Sequence, residues 1–243
     1  MKPHFCFDVA EASDRTMIAR IFSIAWKIAA GYVLAVVVLV TIYAFVPPVS
    51  TLMLWRWITA QNVERSWRSI EAISPNLVNA VVVSEDARLC SHSGVDWTEV
   101  SDAIADADEL FDARGASTLA MQTARNLFLW PQRNFVRKAL EVPIAFYLTL
   151  AWSPKRLVEV YLNIVEWGPN GEFGAEAAAR RAFRKSAQRL TSYEAALLAG
   201  SLPNPVRRNA ARPGPGLQRV AARNVAGVAS DGGLAINCLA LRR

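Results

Sequence analysis

Residues 28–46 form a run of 19 residues without a charged side chain, and this run constrains the fold more than any other feature. About 20 apolar residues in a helix span the hydrocarbon core of a bilayer. Tyr32 and Tyr43 lie near the ends of the run, where interfacial aromatic residues are typical. A buried core helix would show a polar stripe, and a cleaved signal peptide would be shorter and carry a small-residue cleavage site. The run therefore predicts one transmembrane helix at residues 28–46.

The basic residues on either side of this run predict its orientation. Four precede it and three follow soon after: Lys2, Arg15, Arg20 and Lys27, then Arg56, Arg65 and Arg68. Because cytoplasmic flanks carry the excess of Lys and Arg, we expect residues 1–27 to be a cytoplasmic segment. The chain beyond the span would then lie in the periplasm of a bacterium, held at the inner membrane by a single pass.

Composition narrows the class of partner without choosing one. With 53% hydrophobic and 20% charged residues, the chain is not intrinsically disordered. Its three cysteines exclude a disulfide-built scaffold, and no Cys/His cluster has zinc spacing. The net charge of +6 predicts an anionic partner: a nucleic acid, a lipid surface or a phosphate group.

After the span, the sequence predicts a connector, one domain and a tail. Residues 47–74 mix arginine with Trp55 and Trp57, which fits either an amphipathic connector close to the membrane or an ordinary helix packed on the domain. We assign residues 75–225 to the domain and residues 226–243 to a C-terminal tail.

The domain is predicted to be mainly α. Ser153-Pro154 combines an N-cap with a proline at the first helical position. Thr191 and Glu194 have the spacing of a capping box. No alternating run is long enough to predict a sheet.

The first of three polar clusters is Glu85-Asp86, which follows the apolar residues 80–83, with His92 and Gly94 close behind. A carboxylate at the end of an apolar run has its pKa raised by desolvation, and a raised pKa suits a general acid or base near neutral pH. A solvated acidic cap on a buried helix explains the same pattern.

The second cluster covers residues 115–126. If Ser117 caps a helix, then Thr118, Gln122 and Arg125 share one face, because helical neighbours lie three or four residues apart. A helix N-terminus with hydroxyl groups and a cation along one stripe suits a phosphate or a sugar. A plain capped amphipathic helix also explains the pattern, with fewer assumptions.

The third cluster is Arg137-Lys138 with Glu141, which lies one helical turn from both cations. A surface salt bridge would contribute little. Alternatively, the carboxylate holds the cations in place to neutralise a leaving group. We expect Pro143 to kink this helix, because its missing N–H would have bonded to Ala139.

Taken in order, these clusters resemble the motifs of the peptidoglycan glycosyltransferases of glycosyltransferase family 51. That family shows E-D-x-x-F-x-x-H-x-G, then G-x-S-T-x-x-Q-Q-x-x-K-N and R-K-x-x-E. It continues with K-x-x-I-L-E-x-Y-L-N and with A-A-x-x-Y-F-x-K before L-x-x-x-E-A-A-L-L-A, which residues 155–163 and 177–199 resemble. Five motifs in the same order are specific, and the resemblance covers roughly residues 47–205.

A few residues depart from the family pattern, but none of the changes removes a carboxylate. Leu89 stands where the family has phenylalanine, and Met121 replaces the first glutamine of the pair, while Gln122 keeps the second. Arg125 replaces a lysine and would present a planar fork to a phosphate instead of a point charge.

The resemblance implies a lysozyme-like helical domain with a small membrane-associated jaw lobe. It also implies an inverting enzyme that polymerises lipid II and releases undecaprenyl diphosphate. The implied catalytic residues are Glu85, as the general base, and Glu141, which would orient the cations. The implied substrate and diphosphate contacts are Asp86, Ser117, Thr118, Gln122, Arg125, Asn126, Arg137, Lys138 and Lys185. The chemistry requires no cofactor, although Mg²⁺ or Mn²⁺ could accompany the diphosphate.

The implied partners are lipid II, the growing glycan strand, the membrane, and other cell-wall synthases or division proteins. A lysozyme-like hydrolase or lytic transglycosylase is the main alternative, but it has no diphosphate for the three cations to neutralise. A non-catalytic membrane partner would not need Glu85 and Glu141. A nucleic-acid binder would rarely meet its ligand outside the cytoplasm.

Cys90 and Cys238 would both lie in the periplasm. The sequence does not set the distance between them, so it leaves open whether they form a disulfide.

Overall fold

The computed structural model describes residues 7–105, 117–132 and 134–240, and the chain divides into two compact units, residues 1–45 and 46–243. The helices are α1 Phe7–Tyr43, α2 Thr51–Ile58, α3 Pro75–Glu85, α4 Trp97–Ala105, α5 Leu119–Phe128, α6 Phe135–Ala151, α7 Pro154–Ile164, α8 Ala175–Phe183, α9 Ser192–Ser201 and α10 Pro215–Ala235. Two short strands, β1 Glu64–Arg65 and β2 Glu172–Phe173, complete the regular structure of this part of the chain. The prediction of a mainly α protein is confirmed.

The described part of the first unit consists of helix α1 and the short turn that follows it. Its part Ala19–Tyr43 is 25 residues long with a mean hydropathy of 2.1, long and apolar enough to cross a membrane. Phe22 and Trp26 are 73% and 68% exposed within the chain, as expected of side chains that face lipid. The helix begins well before residue 28 and ends at Tyr43, three residues before the predicted end of the span. One such helix is consistent with a single-pass membrane anchor.

Helix α2 packs on the domain, as one of the two interpretations of the connector predicted, and its closeness to the membrane stays a prediction. Its N-cap is Ser50, whose Oγ accepts a hydrogen bond from the N–H of Met53, and Met53 itself is fully buried. Trp55, Trp57 and Ile58 are each more than half exposed. The helix therefore packs on the domain through Met53 and leaves these large apolar side chains exposed.

The helices of the second unit pack in two groups. Helices α3, α9 and α10 pack against one another, and α5 packs against α6 and α7. Asn224 on α10 donates from its buried side chain to the carbonyl of Ala80 on α3 at 2.8 Å. The predicted helix starts at Ser153-Pro154 and at Thr191 are confirmed, the latter with a complete capping box.

The two strands are a feature that the sequence did not predict. They pair in parallel, with Glu64 opposite Glu172, and two residues are too few to show an alternating pattern. Gly171 precedes β2 with φ +84, and a Cβ there would lie 2.0 Å from the carbonyl oxygen of Asn62. Only glycine fits this close approach of two backbones.

A disulfide joins Cys90 to Cys238, with 5.6 Å between their Cα atoms. It links the short 3₁₀ turn Leu89–Ser91, just after Glu85, to the 3₁₀ turn Asn237–Leu239 that follows α10. Helix α10 is also continuous across residues 225 and 226, where the sequence placed the start of the tail. The residues after α10 are thus fastened to the segment that carries the first polar cluster.

Candidate active site

Glu85 is the last residue of α3, whose buried Val81 and Val82 belong to the apolar core. Burial raises the pKa of Glu85. Two influences lower this pKa and only partly offset the effect of burial. One is a hydrogen bond of 3.0 Å from Nε2 of Gln122 to Oε2 of Glu85, and the other is the charge of Arg125. The predicted rise in pKa is confirmed, and Glu85 is half-buried at the end of α3, between the predicted desolvated carboxyl and the alternative of a solvated cap.

Asp86 fastens the end of α3 to the start of α5. Its Oδ2 accepts the backbone N–H of Leu119 at 2.9 Å, and its Oδ1 lies 2.8 Å from Nε2 of His92. Burial disfavours the charged form of His92, but the hydrogen bond and the charge of Asp86 outweigh burial and raise the pKa of the imidazole. Asp86 is 4% exposed, and each of its carboxylate oxygens has a partner within the protein, so its role as a substrate contact stays a prediction.

Thr118, and not Ser117, caps α5. Its Oγ1 accepts a hydrogen bond from the N–H of Met121 at 3.2 Å and donates to the carbonyl of Gly94 at 2.6 Å. The predicted cap is therefore wrong by one residue, because the carbonyl of Gly94 selects the second of two adjacent hydroxyls. Residues 115 and 116, which begin the second cluster, lie outside the described residues.

Gln122 on α5 contacts Glu85, a pairing that the sequence did not predict. Its Nε2 also donates to the carbonyl of Ser117 at 3.2 Å, and its Oε1 accepts from the hydroxyl of Tyr161 at 3.0 Å. Tyr161 on α7 is fully buried, and sequence reasoning gave it no role. The signal that could have found it is a tyrosine hydroxyl in the buried apolar stripe of a helix, where it needs a partner.

The third cluster lies inside the protein. Glu141 is 2% and Arg137 4% exposed, and they form an ion pair through Oε1 and Nη1. Oε2 of Glu141 accepts from Nζ of Lys138 at 3.1 Å, and the same Nζ donates to Oγ of Ser117 at 2.6 Å. Burial lowers the pKa of Lys138, while the charge of Glu141 works in the opposite direction. The alternative of a surface salt bridge is wrong, because the carboxylate of Glu141 is almost completely buried.

The charge of Arg125 acts on Glu85 and on Lys138. Its charge lowers the pKa of Glu85 and also that of Lys138, so it lies near both clusters. Within the described part of the chain, its guanidinium has no hydrogen bond or ion pair to another residue. Such a cation, held between two polar clusters, is available to bind an anion.

The two remaining predicted contacts, Asn126 and Lys185, lie on different parts of the domain. Asn126 follows Arg125 on α5, and its Nδ2 is buried without a hydrogen-bond partner among the described residues. Lys185 lies after α8, where its Nζ pairs with Oε1 of Glu194 at 2.7 Å. Among the contacts of the described residues, none joins Lys185 to Glu85 or Glu141.

Known proteins are similar to this chain over most of its length. A family model described as "Transglycosylase" matches residues 53–228. The chain is 53% identical over 200 residues to the biosynthetic peptidoglycan transglycosylase of Rhodopseudomonas palustris (strain HaA2), covering 82% of this chain and 86% of the relative. It is 51% identical over 185 residues to the protein of that name from Agrobacterium fabrum, covering 75% and 81% of the two chains. Against that of Brucella suis biovar 1, identity is 47% over 219 residues, covering 89% and 97%.

The chain belongs to the transglycosylase family. It is therefore an enzyme, a glycosyltransferase, as the five motifs implied. The matched residues run from α2 into α10 and contain every candidate site residue named above.

Arg208 is a further charged residue at the site of this transglycosylase. Its Nη1 donates to the carbonyl of Gly200 at the end of α9 at 2.7 Å, and its charge lowers the pKa of Glu85. Helices α3 and α9 pack together and are joined near their N-termini by Asn76 and Ser192, so their C-termini lie at one end. No local sequence signal places Arg208 there, because its position depends on how these two helices pack.

The described residues do not offer a ready metal site. They contain no group of three His, Cys, Asp or Glu side chains placed to hold an ion. The two oxygens of Glu141 are already engaged by Arg137 and Lys138. These residues fit an anion better than a divalent cation, so we derive no step of the transglycosylase reaction through a metal.

Proposed function

We propose that this transglycosylase is a peptidoglycan glycosyltransferase, which polymerises lipid II into β-1,4-linked glycan strands and releases undecaprenyl diphosphate. The observation that carries the proposal is a half-buried carboxyl with a raised pKa, Glu85, near the cation Arg125, whose charge also acts on Lys138 of the third cluster. A base and a set of cations are the two elements that sugar transfer from a diphosphate needs. The names of the relatives, biosynthetic peptidoglycan transglycosylases, support the substrate class.

Glu85 acts as the general base in this reaction. Its carboxylate takes the proton from the 4-hydroxyl of the acceptor's GlcNAc, and that oxygen attacks the anomeric carbon of the strand's MurNAc. The bond from this carbon to the diphosphate oxygen breaks as the new bond forms on the opposite face, so the configuration inverts from α to β. A pKa raised by burial makes Glu85 a stronger base than an exposed carboxylate.

The cations stabilise the leaving group. As the glycosidic bond breaks, negative charge develops on the diphosphate, and charge-assisted hydrogen bonds from Arg125, Arg137 and Lys138 offset it. Glu141 keeps Arg137 and Lys138 in place through its two oxygens. The remaining predicted contacts with phosphate and sugar are Ser117, Thr118, Gln122 and Asn126, with Asp86 supporting them and Lys185 as an outer contact.

The domain works on the periplasmic side of the inner membrane. The disulfide between Cys90 and Cys238 supports this side, because disulfides persist in oxidising compartments. The apolar part of α1 supplies the anchor. Lipid II and the growing strand are the substrates there, and other cell-wall synthases or division proteins are the protein partners.

The test is incubation of the purified full-length protein with labelled lipid II, followed by separation of polymer from monomer. The wild type should make polymer, and Glu85→Gln should make none, because the amide cannot accept the proton. Glu71→Gln is the matched control: Glu71 is mostly exposed and pairs with Lys155 away from the site. Substantial turnover by Glu85→Gln would reject Glu85 as the base.

The same assay distinguishes the proposed polymerisation from the lytic alternative. Finished peptidoglycan is supplied in a parallel reaction with the wild type. A lysozyme-like hydrolase or lytic transglycosylase would consume this substrate and leave lipid II unchanged, which is the reverse of the result we expect.

A further inference from the structure

The hydroxyl of Tyr161 forms a hydrogen bond inside the active site that the proposed mechanism does not use. Tyr161 is fully buried on α7, and its hydroxyl donates to Oε1 of Gln122 at 3.0 Å. Burial and the nearby charge of Glu85 raise the pKa of Tyr161 well above its usual value. The hydroxyl therefore keeps its proton and acts as a donor at every working pH.

The partners of Gln122 fix the direction of its amide group. The carbonyl of Ser117 can only accept, and it takes one N–H of Gln122 at 3.2 Å. Tyr161 donates to the amide oxygen on the other side. The second N–H must then face Glu85, where Nε2 lies 3.0 Å from Oε2.

This arrangement makes the two oxygens of Glu85 different. Oε2 is held by Gln122, whereas Oε1 has no hydrogen-bond partner among the residues that the structure describes. A hydrogen bond to the charged carboxylate favours ionisation and so opposes the effect of burial. Because linked hydrogen bonds polarise one another, the donor hydroxyl of Tyr161 strengthens the bond from Gln122 to Glu85.

We propose that Tyr161 is a positioning residue for glycosyl transfer: through Gln122 it fixes Oε2 of Glu85 and leaves Oε1 to accept the proton of the acceptor hydroxyl. The inference rests on the proposed role of Glu85 as the base. It explains why a tyrosine occupies a fully buried position where a phenylalanine would fill the same volume. Without the hydroxyl, Oε1 of Gln122 would be left unpaired in the interior.

The experiment compares Tyr161→Phe with the wild type, as full-length proteins in detergent with labelled lipid II. We expect kcat to fall about tenfold and KM to change less than about twofold, because the variant weakens the alignment of the base and not the binding of substrate. The acid limb of the kcat profile should also move to higher pH, since Glu85 loses part of the support for its charged form.

A double-mutant cycle with Gln122 separates positioning from packing. In the Gln122→Ala background, Tyr161→Phe should change kcat less than about twofold, because the connection to Glu85 is already broken. Tyr193→Phe is the matched control: Tyr193 is 46% exposed, and no described residue bonds to its hydroxyl, so kcat should not change.

The outcomes that contradict the inference are distinct from failure of the proposed function. Wild-type kcat in Tyr161→Phe, or the same loss with and without Gln122, would overturn the role of Tyr161 while polymer synthesis by the wild type stood. Absence of polymer from the wild type would instead overturn the proposed function. If Tyr161→Phe does not fold, Tyr161→Met replaces it, because this variant also lacks the hydroxyl and should show the same upward shift of the acid limb.

Discussion

Removal of the disulfide between Cys90 and Cys238 should destabilise the second unit strongly. The cysteines are separated by 148 residues, so the bond closes most of that unit into one loop. In the chain-entropy treatment of cross-links, a loop of this length corresponds to about 5 kcal/mol at 25 °C. For a chain of this size, each kcal/mol shifts Tm by about 2–4 °C, and Cys90→Ser with Cys238→Ser should therefore lower Tm by about 10–20 °C.

The measurement is thermal unfolding of the full-length protein in detergent, followed by tryptophan fluorescence. Dithiothreitol should lower the Tm of the wild type towards that of the double variant, and it should leave the double variant unchanged. Cys6→Ser is the control, because the predicted topology puts Cys6 on the cytoplasmic side, away from the disulfide. A double variant that melts within about 2 °C of the oxidised wild type would refute the reasoning.

Two further predictions concern the charges around the base. Glu141→Gln should lower the rate of lipid II polymerisation severely, because Arg137 and Lys138 lose the carboxylate that holds them. An unaffected rate would mean that Glu141 is only a structural partner of these cations. Arg208→Ala should move the acid limb of the kcat profile to higher pH and spare the high-pH plateau, because the cation lowers the pKa of Glu85. The exposed neighbour Arg207 is the control, and an equal shift in Arg207→Ala would contradict a specific effect of Arg208.

The parts of the fold that were predictable from sequence depend on short-range chemistry. Ser153-Pro154 and Thr191 begin helices because an N-cap hydroxyl acts on backbone groups two or three residues away. Glu85 follows an apolar helix, so its raised pKa could be expected from its neighbours. Such sequence signals involve only a few neighbouring residues, so they predict the same local structure wherever the segment lies in the fold.

The contacts that assemble the site join residues that are far apart in the sequence. Asp86 bonds to the N–H of Leu119, 33 residues away, and Tyr161 to Gln122, 39 residues away. Sequence identifies the polar residues but not these pairings, because each depends on how separate helices pack. The burial of Glu141 shows the same limit: a carboxylate one turn from two cations has the same local sequence on a surface as in an interior.

The placement of α2 gives a physical reason for the location of Arg125. Oγ1 of Thr51 on α2 donates to the carbonyls of Asn126 and Leu129, at 3.1 and 2.7 Å, and so fixes this helix to the C-terminal end of α5. Arg125, whose guanidinium has no bonding partner among the described residues, directly precedes Asn126 in this contact. With the exposed tryptophans of α2 at the membrane surface, as the sequence predicts, Arg125 would lie within about one helical turn of the helix that contacts the lipid. If the substrate is a lipid-linked diphosphate, as we propose, its phosphates stay at the level of the headgroups, and α2 is the element that would place Arg125 there.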